Sequence, residues 1–415
     1  MAEFRRAVVL AVGSGGDVFP FVEVAASLAR RGLEVTVLGP QRFQPHAAQR
    51  GIEYHSIGAE EVYREVFDGD DVWDARKGTA AAWRYYVAAA RSGHKRLSAE
   101  WGGTQTLLVS SSFAIAARLA QEREGFSNVT VHLSPSVLFS AIDPPRWPGP
   151  SVPKTWPVGL KRLLVGAAER LALEPVIGPP VNALRAELGL APVKRVFSRW
   201  IHSPQRVVYA FPEWFAAAAP DWPPAGSHAT FPCLQQRVEA LPAALLEFLD
   251  GGSGSRTILV TAGTAVRTRQ AWVQHCIGGA LDAGLRVIAV APQVGAIPPR
   301  ADLLWLDRVP FDQVFPHLAL VVHHGGIGTM AEALRAGVRQ LAVPTAHDQF
   351  DNADRMQTAG LGLVGSAQWS RTQFADALRQ AIDTAGLSAP IHRAQQRIAQ
   401  GPQGADRIAD LVLGR

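Results

Sequence analysis

The sequence lacks the features typical of secreted and membrane-spanning proteins. Its 415 residues include two cysteines, Cys233 and Cys276, which are too few and too far apart for a disulfide framework or a zinc site. It has no apolar run of the roughly 18 residues that a membrane-spanning helix requires. We therefore expect a cytoplasmic protein, whose 47% hydrophobic residues are enough for two domains with separate cores.

The N-terminal region also lacks the glycine pattern of a dinucleotide-binding enzyme. A buried strand at 6–12 leads into a glycine-rich turn and a helix, but the pattern G-x-G-x-x-G would need glycine where Val18 stands. This departure argues against a nicotinamide cofactor. Gly15 and Gly16 are candidates for a phosphate-binding turn. Asp17 stands where a carboxylate caps the N-terminus of a helix, a role that would only stabilise the helix.

The most specific pattern lies in the second half of the chain, where an apolar strand at 318–322 runs into a glycine-rich turn and then a helix. Such a turn directs several backbone N–H groups at one point, which suits a phosphate. Glu332, one turn into the helix, suits ribose hydroxyls. Asp348 and Gln349 follow the next strand, at the carboxyl edge where open α/β sheets bind ligands. The candidate phosphate-binding residues of the turn are His324, Gly325, Gly326, Gly328 and Thr329.

This spacing resembles the donor signature of family 1 nucleotide-sugar glycosyltransferases. The resemblance implies that His324 and the helix N-terminus hold the diphosphate and that Glu332 holds the ribose. It also implies that Asp348 and Gln349 read the hydroxyls of the sugar. Relatives place three further donor contacts in neighbouring loops, which correspond to Gly263, Thr264 and Val309.

The same resemblance implies an α/β fold of the GT-B type, with two Rossmann-like doubly wound parallel-sheet domains facing a cleft. We predict an N-terminal acceptor-binding domain at 1–211 and a proline-rich linker at 212–235. A C-terminal donor-binding domain is predicted at 236–390. The resemblance implies that the C-terminal helices, at 391–415, cross back to the first domain.

Macrolide, sterol and rhamnolipid glycosyltransferases carry a similar N-terminal segment, in which the residue matching Asp17 acts as the general base. Segments in the middle of the chain, at 132–136, 193–197, 200–205 and 212–215, further resemble the rhamnosyltransferases of rhamnolipid biosynthesis. That likeness implies an inverting, metal-independent transfer of rhamnose from dTDP-rhamnose to a 3-hydroxyacyl lipid, with no cofactor.

Other activities remain open from the sequence alone. His324 departs from the rhamnolipid enzymes and fits the pattern of UDP-glucose-dependent glucosyltransferases of sterol, macrolide or phenolic acceptors. A nucleotide-sugar epimerase and a non-catalytic auxiliary chain are the remaining alternatives. The lipophilic acceptor itself is not fixed, and the candidates for its pocket are Phe19, Ser111, Phe139 and Trp147.

Positive charge is concentrated in the segment 141–210, which holds ten Lys and Arg against four Asp and Glu. No nucleic-acid partner is expected, because the segment has neither interleaved aromatic residues nor a reading motif. Residues 154–173 read as an amphipathic helix. It could rest on the inner face of an anionic membrane, border an acyl pocket, or present an ordinary solvated basic face.

Overall fold

The fold is known from a computed structural model, which describes residues 4–74, 76–102, 105–149, 151–234, 240–251, 256–263, 270–291, 293, 297–298, 300–402 and 404–415. The chain forms two compact units. One comprises Met1–Cys233 with Pro402–Arg415, and the other comprises Leu234–Gly401.

The first unit is built on a sheet whose pairings are all parallel. Its described strands are β1 (Arg6–Leu10), β2 (Glu34–Gly39), β3 (Glu53–Ser56), β4 (Thr106–Ser111), β5 (Ser127–His132), β6 (Arg206–Tyr209) and β7 (Gly226–His228). They lie in the order β3-β2-β1-β4-β5-β6-β7. Its helices before the second unit are α1 (Gly15–Arg30), α2 (Gln44–Gln49), α3 (Glu60–Phe67), α4 (Gly78–Glu100), α5 (Ala116–Glu124), α6 (Val158–Ala168) and α7 (Glu174–Glu187).

Strand β1 lies inside this sheet, between β2 and β4, and forms the middle of the core. Consecutive residues Val8, Val9 and Leu10 are all fully buried, so both faces of the sheet are covered, as expected for a parallel sheet. Helix α1 begins a few residues after β1 ends, which brings Asp17 to the carboxyl edge of the sheet.

The second unit has a smaller parallel sheet. Its described strands are β8 (Thr257–Thr261), β9 (Arg286–Val290), β10 (Leu303–Leu306), β11 (Leu320–His323), β12 (Gln340–Ala342) and β13 (Leu363–Val364), in the order β10-β9-β8-β11-β12-β13. Its helices are α8 (Ala243–Asp250), α9 (Gln270–Asp282), α10 (Phe311–Val314), α11 (Ile327–Ala336), α12 (Gln349–Thr358), α13 (Arg371–Asp383) and α14 (Ser388–Gln400). Alternate residues of β8 enter separate cores, with Ile258 and Val260 in one and Leu259 in the other.

The last helix of the described chain, α15 (Gly404–Leu413), belongs to the first unit and packs against α1. The Arg31 guanidinium lies 3.1 Å from a carboxylate oxygen of Asp406 and 2.7 Å from one of Asp410. Helix α14, by contrast, packs against α11 in the second unit. Of the two C-terminal helices that we expected in the first domain, α15 therefore lies there and α14 does not.

Two further segments differ from the expectations. The predicted linker at 212–235 contains β7, which pairs with β6, so nearly all of it belongs to the first unit. The helix expected at 154–173 begins at Val158 after Pro157 and ends in a π-helical turn at Glu169–Leu173. No helix among the described residues is long and apolar enough to cross a membrane.

Candidate functional site

The candidate donor site is formed where β11 ends and α11 begins. Gly326 is the N-cap of α11, with extended φ and ψ angles of −64° and 134°. The N–H groups of Ile327, Gly328 and Thr329 lie in the first turn, where an α-helix provides no intrahelical acceptor. The helix dipole adds partial positive charge at the same place, so this end of α11 can bind an anion.

The structure brings the loop after β8 to the same turn, because the His324 ring packs between two glycines. A Cβ atom added to Gly263 would lie 2.6 Å from His324 Cε1, and one added to Gly326 would lie 2.4 Å from His324 Nε2. Both positions therefore require glycine as long as the ring stays in place. Thr264, the neighbouring candidate, lies outside the described residues.

Gly325 does not contribute a free N–H group to the turn, which corrects the expectation from sequence. Its N–H donates to Nδ1 of His323 at 3.1 Å. Its φ angle is +88°, and an added Cβ would lie 2.9 Å from the carbonyl oxygen of Gln349. Gly325 therefore sets the path of the turn, and the anion-binding amides are those that follow it.

Asp348 and Gln349 lie at the start of α12, next to the glycine turn. The Asn352 side-chain amide donates to Asp348 Oδ2 at 2.8 Å and to the Gly325 carbonyl at 3.1 Å, which links the two loops. The Gln349 side-chain carbonyl accepts from the backbone N–H of Thr345 at 3.0 Å. That oxygen thus holds its own loop, and a role for Gln349 in reading a sugar falls to its amide group.

The backbone just before Asp348 is unusual. His347 has φ of +52°, a conformation that few non-glycine residues adopt, and such strain clusters at functional sites. Val309, which we expected to be a further donor contact, is only 8% exposed and belongs to a hydrophobic core. Its side chain therefore does not fit a donor-binding role.

Glu332, the candidate for ribose, is buried at 4% exposure and already has two partners. Its Oε1 accepts from the Leu234 N–H at 2.8 Å, and its Oε2 accepts from Arg335 Nε at 2.9 Å. Burial raises the pKa of Glu332 above its usual range, against the lowering effect of Arg335. A ribose hydroxyl would have to share or replace one of these contacts.

Asp17 lies in the first turn of α1, where its Oδ2 accepts from the Ser14 N–H at 2.8 Å and from the Ser14 hydroxyl at 2.9 Å. Burial raises the pKa of Asp17, while the two hydrogen bonds from Ser14 lower it. A Cβ atom added to Gly13 would lie 2.5 Å from the same Asp17 oxygen, and Gly13 has φ of +120°. Gly15 and Gly16 occupy the first two helical positions beside it.

The acceptor-pocket candidates of the first unit fall into two places. Phe19 packs edge-on against Phe43, with ring centroids 5.3 Å apart, and Ser111 Oγ accepts from the Val12 N–H at 3.3 Å. Both are thus engaged near the carboxyl end of β1. Phe139 and Trp147 lie together elsewhere, with ring centroids 6.2 Å apart.

Both rings also contact Phe197, at 5.6 and 5.9 Å between centroids. Phe139 lines a cavity of about 1270 Å³, whose wall includes residues 202–204, immediately before β6. This cavity therefore extends along the amino-terminal end of β6, and the acceptor candidate Phe139 lies in its wall.

Sequence reasoning missed a buried chain of hydrogen bonds beside the acceptor candidates. The Ser112 hydroxyl lies 2.8 Å from His132 Nδ1, and His132 Nε2 lies 2.8 Å from His202 Nδ1. Burial lowers the pKa of both rings, that of His202 to about 4. Both histidines are therefore neutral near pH 7. No pattern in the sequence marks this pairing, since the three residues lie on separate segments.

Within the described ranges, no group of three or more His, Cys, Asp or Glu side chains is arranged to hold a metal ion.

The fold resembles those of solved glycosyltransferases along the whole chain. Calicheamicin glycosyltransferase CalG4 superposes with a TM-score of 0.69 at 20% identity, covering 100% of this chain and 99% of the other. Spinosyn rhamnosyltransferase SpnG, solved with thymidine diphosphate, gives a TM-score of 0.67 at 19% identity, covering 98% and 99%. The predicted GT-B fold, with its two parallel-sheet α/β domains, is confirmed.

Sequence comparisons identify the class of enzyme. The chain matches the glycosyltransferase family 28 N-terminal domain over residues 7–105 and the erythromycin biosynthesis protein CIII-like C-terminal domain over residues 278–412. It is 28% identical over 423 residues to O-mycaminosyltylonolide 6-deoxyallosyltransferase of Streptomyces fradiae, covering 98% of this chain and 96% of the relative. The chain is a family 1 nucleotide-sugar glycosyltransferase of the GT-B fold. The resemblance to the rhamnosyltransferases of rhamnolipid biosynthesis stays a prediction.

Proposed function

We propose that this glycosyltransferase transfers a rhamnosyl group from dTDP-rhamnose to the hydroxyl of a 3-hydroxyacyl lipid, with inversion and without a metal. The names of two similar proteins support a 6-deoxyhexose donor, since one is a 6-deoxyallosyltransferase and the other a rhamnosyltransferase solved with thymidine diphosphate. The observation that carries the proposal is the convergence of His324, Gly263 and the first turn of α11 on one anion-binding point.

In the proposed donor site, the diphosphate lies at the start of α11, beside His324. When the bond between the anomeric carbon and the diphosphate breaks, negative charge grows on the leaving oxygen. The N–H groups of the first turn are fixed in advance, so they can stabilise that charge without reorganisation, and the Thr329 hydroxyl adds a further donor. Protein groups thus supply the stabilisation that a metal would otherwise provide.

In the proposed reaction, Asp17 is the general base. The acceptor oxygen attacks the anomeric carbon while its proton passes to the Asp17 carboxylate, and the nucleoside diphosphate leaves with the electron pair of the broken bond. A single displacement of this kind inverts the anomeric configuration. The burial that raises the pKa of Asp17 makes the carboxylate a stronger base than an exposed aspartate.

The proposed acceptor is lipophilic, and the aromatic cluster of Phe139, Trp147 and Phe197 supports this choice. The Trp147 Nε1 atom is buried and has no hydrogen-bond partner within the part of the chain that the structure describes. A buried N–H donor beside apolar rings suits an acceptor that has one polar group and a hydrocarbon body.

A membrane surface is the proposed location of this acceptor. Leu163 and Leu171, on and just after α6, are 67% and 76% exposed, far more than is usual for leucine. All residues from 151 to 172 are described, and the one acidic side chain among them, Glu169, is buried beside Arg195. A helix with exposed leucines and no exposed acidic group suits the surface of an anionic bilayer.

The membrane contact can be tested by sedimentation with vesicles of phosphatidylcholine alone or mixed with phosphatidylglycerol. We expect binding to the anionic vesicles and its loss in Leu163→Glu. Leu246→Glu is the matched control, because Leu246 is 45% exposed but lies in the second unit. Equal binding of both variants, or none by the wild-type chain, would contradict the proposed contact.

A second candidate activity is glucosyl transfer from UDP-glucose to a sterol, macrolide or phenolic acceptor. The residue that favours it is His324, which fits the donor pattern of glucosyltransferases and lies against Gly263 and Gly326 in the structure.

The two candidates are separated by incubating the protein with each donor and an acceptor panel of 3-hydroxyacyl lipids, sterols, macrolides and phenols. Mass spectrometry then follows product and released nucleoside diphosphate. Product from dTDP-rhamnose and the hydroxyacyl lipid would support the first candidate, and product from UDP-glucose alone would support the second. Absence of product from both would contradict both donor assignments.

A further inference from the structure

The geometry points to His323 as a positioning residue of the donor site, which fixes the orientation of the Gly325 peptide in the glycine turn. This inference rests on the proposed function. His323 is the last residue of β11 and is fully buried in the sheet. Its Nδ1 accepts the Gly325 N–H at 3.1 Å, so the ring touches the turn that we assign to the diphosphate without itself facing it.

The other side of the ring determines which nitrogen carries the proton. His323 Nε2 lies 3.0 Å from Gln340 Oε1, and the Gln340 amide nitrogen donates to the Leu361 carbonyl at 3.2 Å. The second contact fixes the orientation of the Gln340 amide, so Nε2 must be the donor and Nδ1 the acceptor. Burial lowers the pKa of His323 to about 4, which keeps the ring neutral near pH 7.

The opposite end of the Gly325 residue is held as well. The Asn352 amide donates both to the Gly325 carbonyl and to Asp348, at 3.1 and 2.8 Å. A continuous chain of hydrogen bonds therefore runs from the sheet interior at Gln340, through Gly325, to the residue that we assign to the donor sugar.

Holding this peptide matters because Gly325, with φ of +88°, has no side chain to restrict it. If the contact with His323 were lost, the peptide before Gly325 could rotate and move the His324 carbonyl oxygen relative to the diphosphate. A carbonyl dipole near the phosphates opposes the field of the helix N-terminus. His323 therefore keeps the turn in the form that binds an anion.

Two substitutions separate the two contacts of the ring. In His323→Asn the side-chain oxygen occupies the place of Nδ1 and can still accept from Gly325. In His323→Gln the amide reaches the place of Nε2 and keeps Gln340 as a partner instead. Each variant loses one buried hydrogen bond, so we expect similar decreases in Tm.

The readouts are calorimetric binding of dTDP and UDP and the hydrogen exchange rate of the Gly325 amide, both in the full chain. We expect His323→Gln to weaken nucleotide binding by about tenfold and to speed exchange at Gly325, whereas His323→Asn stays within about threefold of wild type. Equal loss of binding and equal exchange in the two variants would overturn the inference and leave His323 as a core residue.

Failure of the proposed function would look different. A wild-type chain that binds neither nucleotide would contradict the donor site, and the inference about its positioning residue would fall with it. If the wild-type chain binds nucleotide and Gly325 exchanges at the same rate in all three proteins, only the inference about His323 is overturned.

Discussion

The two glycine turns of this protein use the same local architecture for opposite purposes. Each follows a buried parallel strand and opens an α-helix, α1 in the first unit and α11 in the second. In the first turn a carboxylate of the chain, Asp17, already accepts from the Ser14 N–H and hydroxyl. In the second, no acidic residue lies in the first helical turn, and the amides after Gly326 remain for an external anion. In our proposal, the first turn holds the negative charge of Asp17, and the second turn binds the negative charge of the donor diphosphate.

The sharpest test of this comparison removes the charge from the first turn. We expect Asp17→Asn to lower kcat by about 10²- to 10⁴-fold, because a positioned general base contributes that much. The amide oxygen of the variant can still accept from Ser14, so Tm and nucleotide affinity should change little. Steady-state kinetics and thermal unfolding measure these effects. A fall in Tm without loss of kcat would show that Asp17 is only a helix cap.

The second turn is tested by removing the ring beside it. His324→Ala should lower kcat/KM by about 10²-fold, the usual cost of losing one preorganised donor to a developing charge. Gly326→Ala is a companion variant, because the added Cβ would lie 2.4 Å from His324 Nε2 and must displace the ring. It should lower the same constant. Unchanged kcat/KM in both variants would remove His324 from the donor site.

A smaller effect is expected at Glu332. Its carboxylate either accepts from a ribose hydroxyl or holds the Leu234 N–H and Arg335. Glu332→Gln should raise KM for the donor about tenfold, if a ribose hydroxyl needs the charged acceptor. The control Arg335→Met keeps the carboxylate but removes its ion pair, so it should lower Tm more than it raises KM. If Glu332→Gln mainly lowered Tm and Arg335→Met mainly raised KM, the role of Glu332 would be purely structural.

The smallest expected effect is a shift in the pH dependence of kcat/KM when the Ser14 hydroxyl is removed. Asp17 acts as a base only when ionised, and burial raises its pKa, so kcat/KM should fall as pH drops through that raised pKa. The Ser14 hydroxyl lowers the pKa, and its removal in Ser14→Ala should therefore move the acid limb to higher pH. A pH–rate profile of both proteins measures the shift. Movement to lower pH would contradict the assigned base.

Local patterns were sufficient to predict most of the fold and to name candidate residues for the site. The strands next to both turns are short apolar runs bounded by glycine. The class of enzyme followed from the resemblance of the segment between His324 and Gln349 to the donor signature of family 1 glycosyltransferases. The three-residue strand β7 was missed because it lies in a proline-rich segment, and its pairing with β6 rather than its composition makes it a strand.

The supporting residues of the site could not be predicted, because they depend on contacts between segments. His323 meets Gln340 only because β11 and β12 pair with Val321 opposite Gln340. Asn352 reaches Gly325 only because α12 starts beside the glycine turn. For the same reason Glu332 was expected to be available for ribose, whereas the fold gives it Leu234 and Arg335 as partners.

The placement of α15 has a consequence for the synthesis of the chain. This helix covers α1, which carries Asp17, yet it is translated after the entire second unit. Domains generally fold in order as they leave the ribosome. Here the first unit remains incomplete until α15 has been translated. Only then can Arg31 pair with Asp406 and Asp410, about 375 residues further along the chain. An interrupted translation product would carry Asp17, the proposed general base, on an uncovered helix, so a completed first unit indicates that the chain was translated through α15.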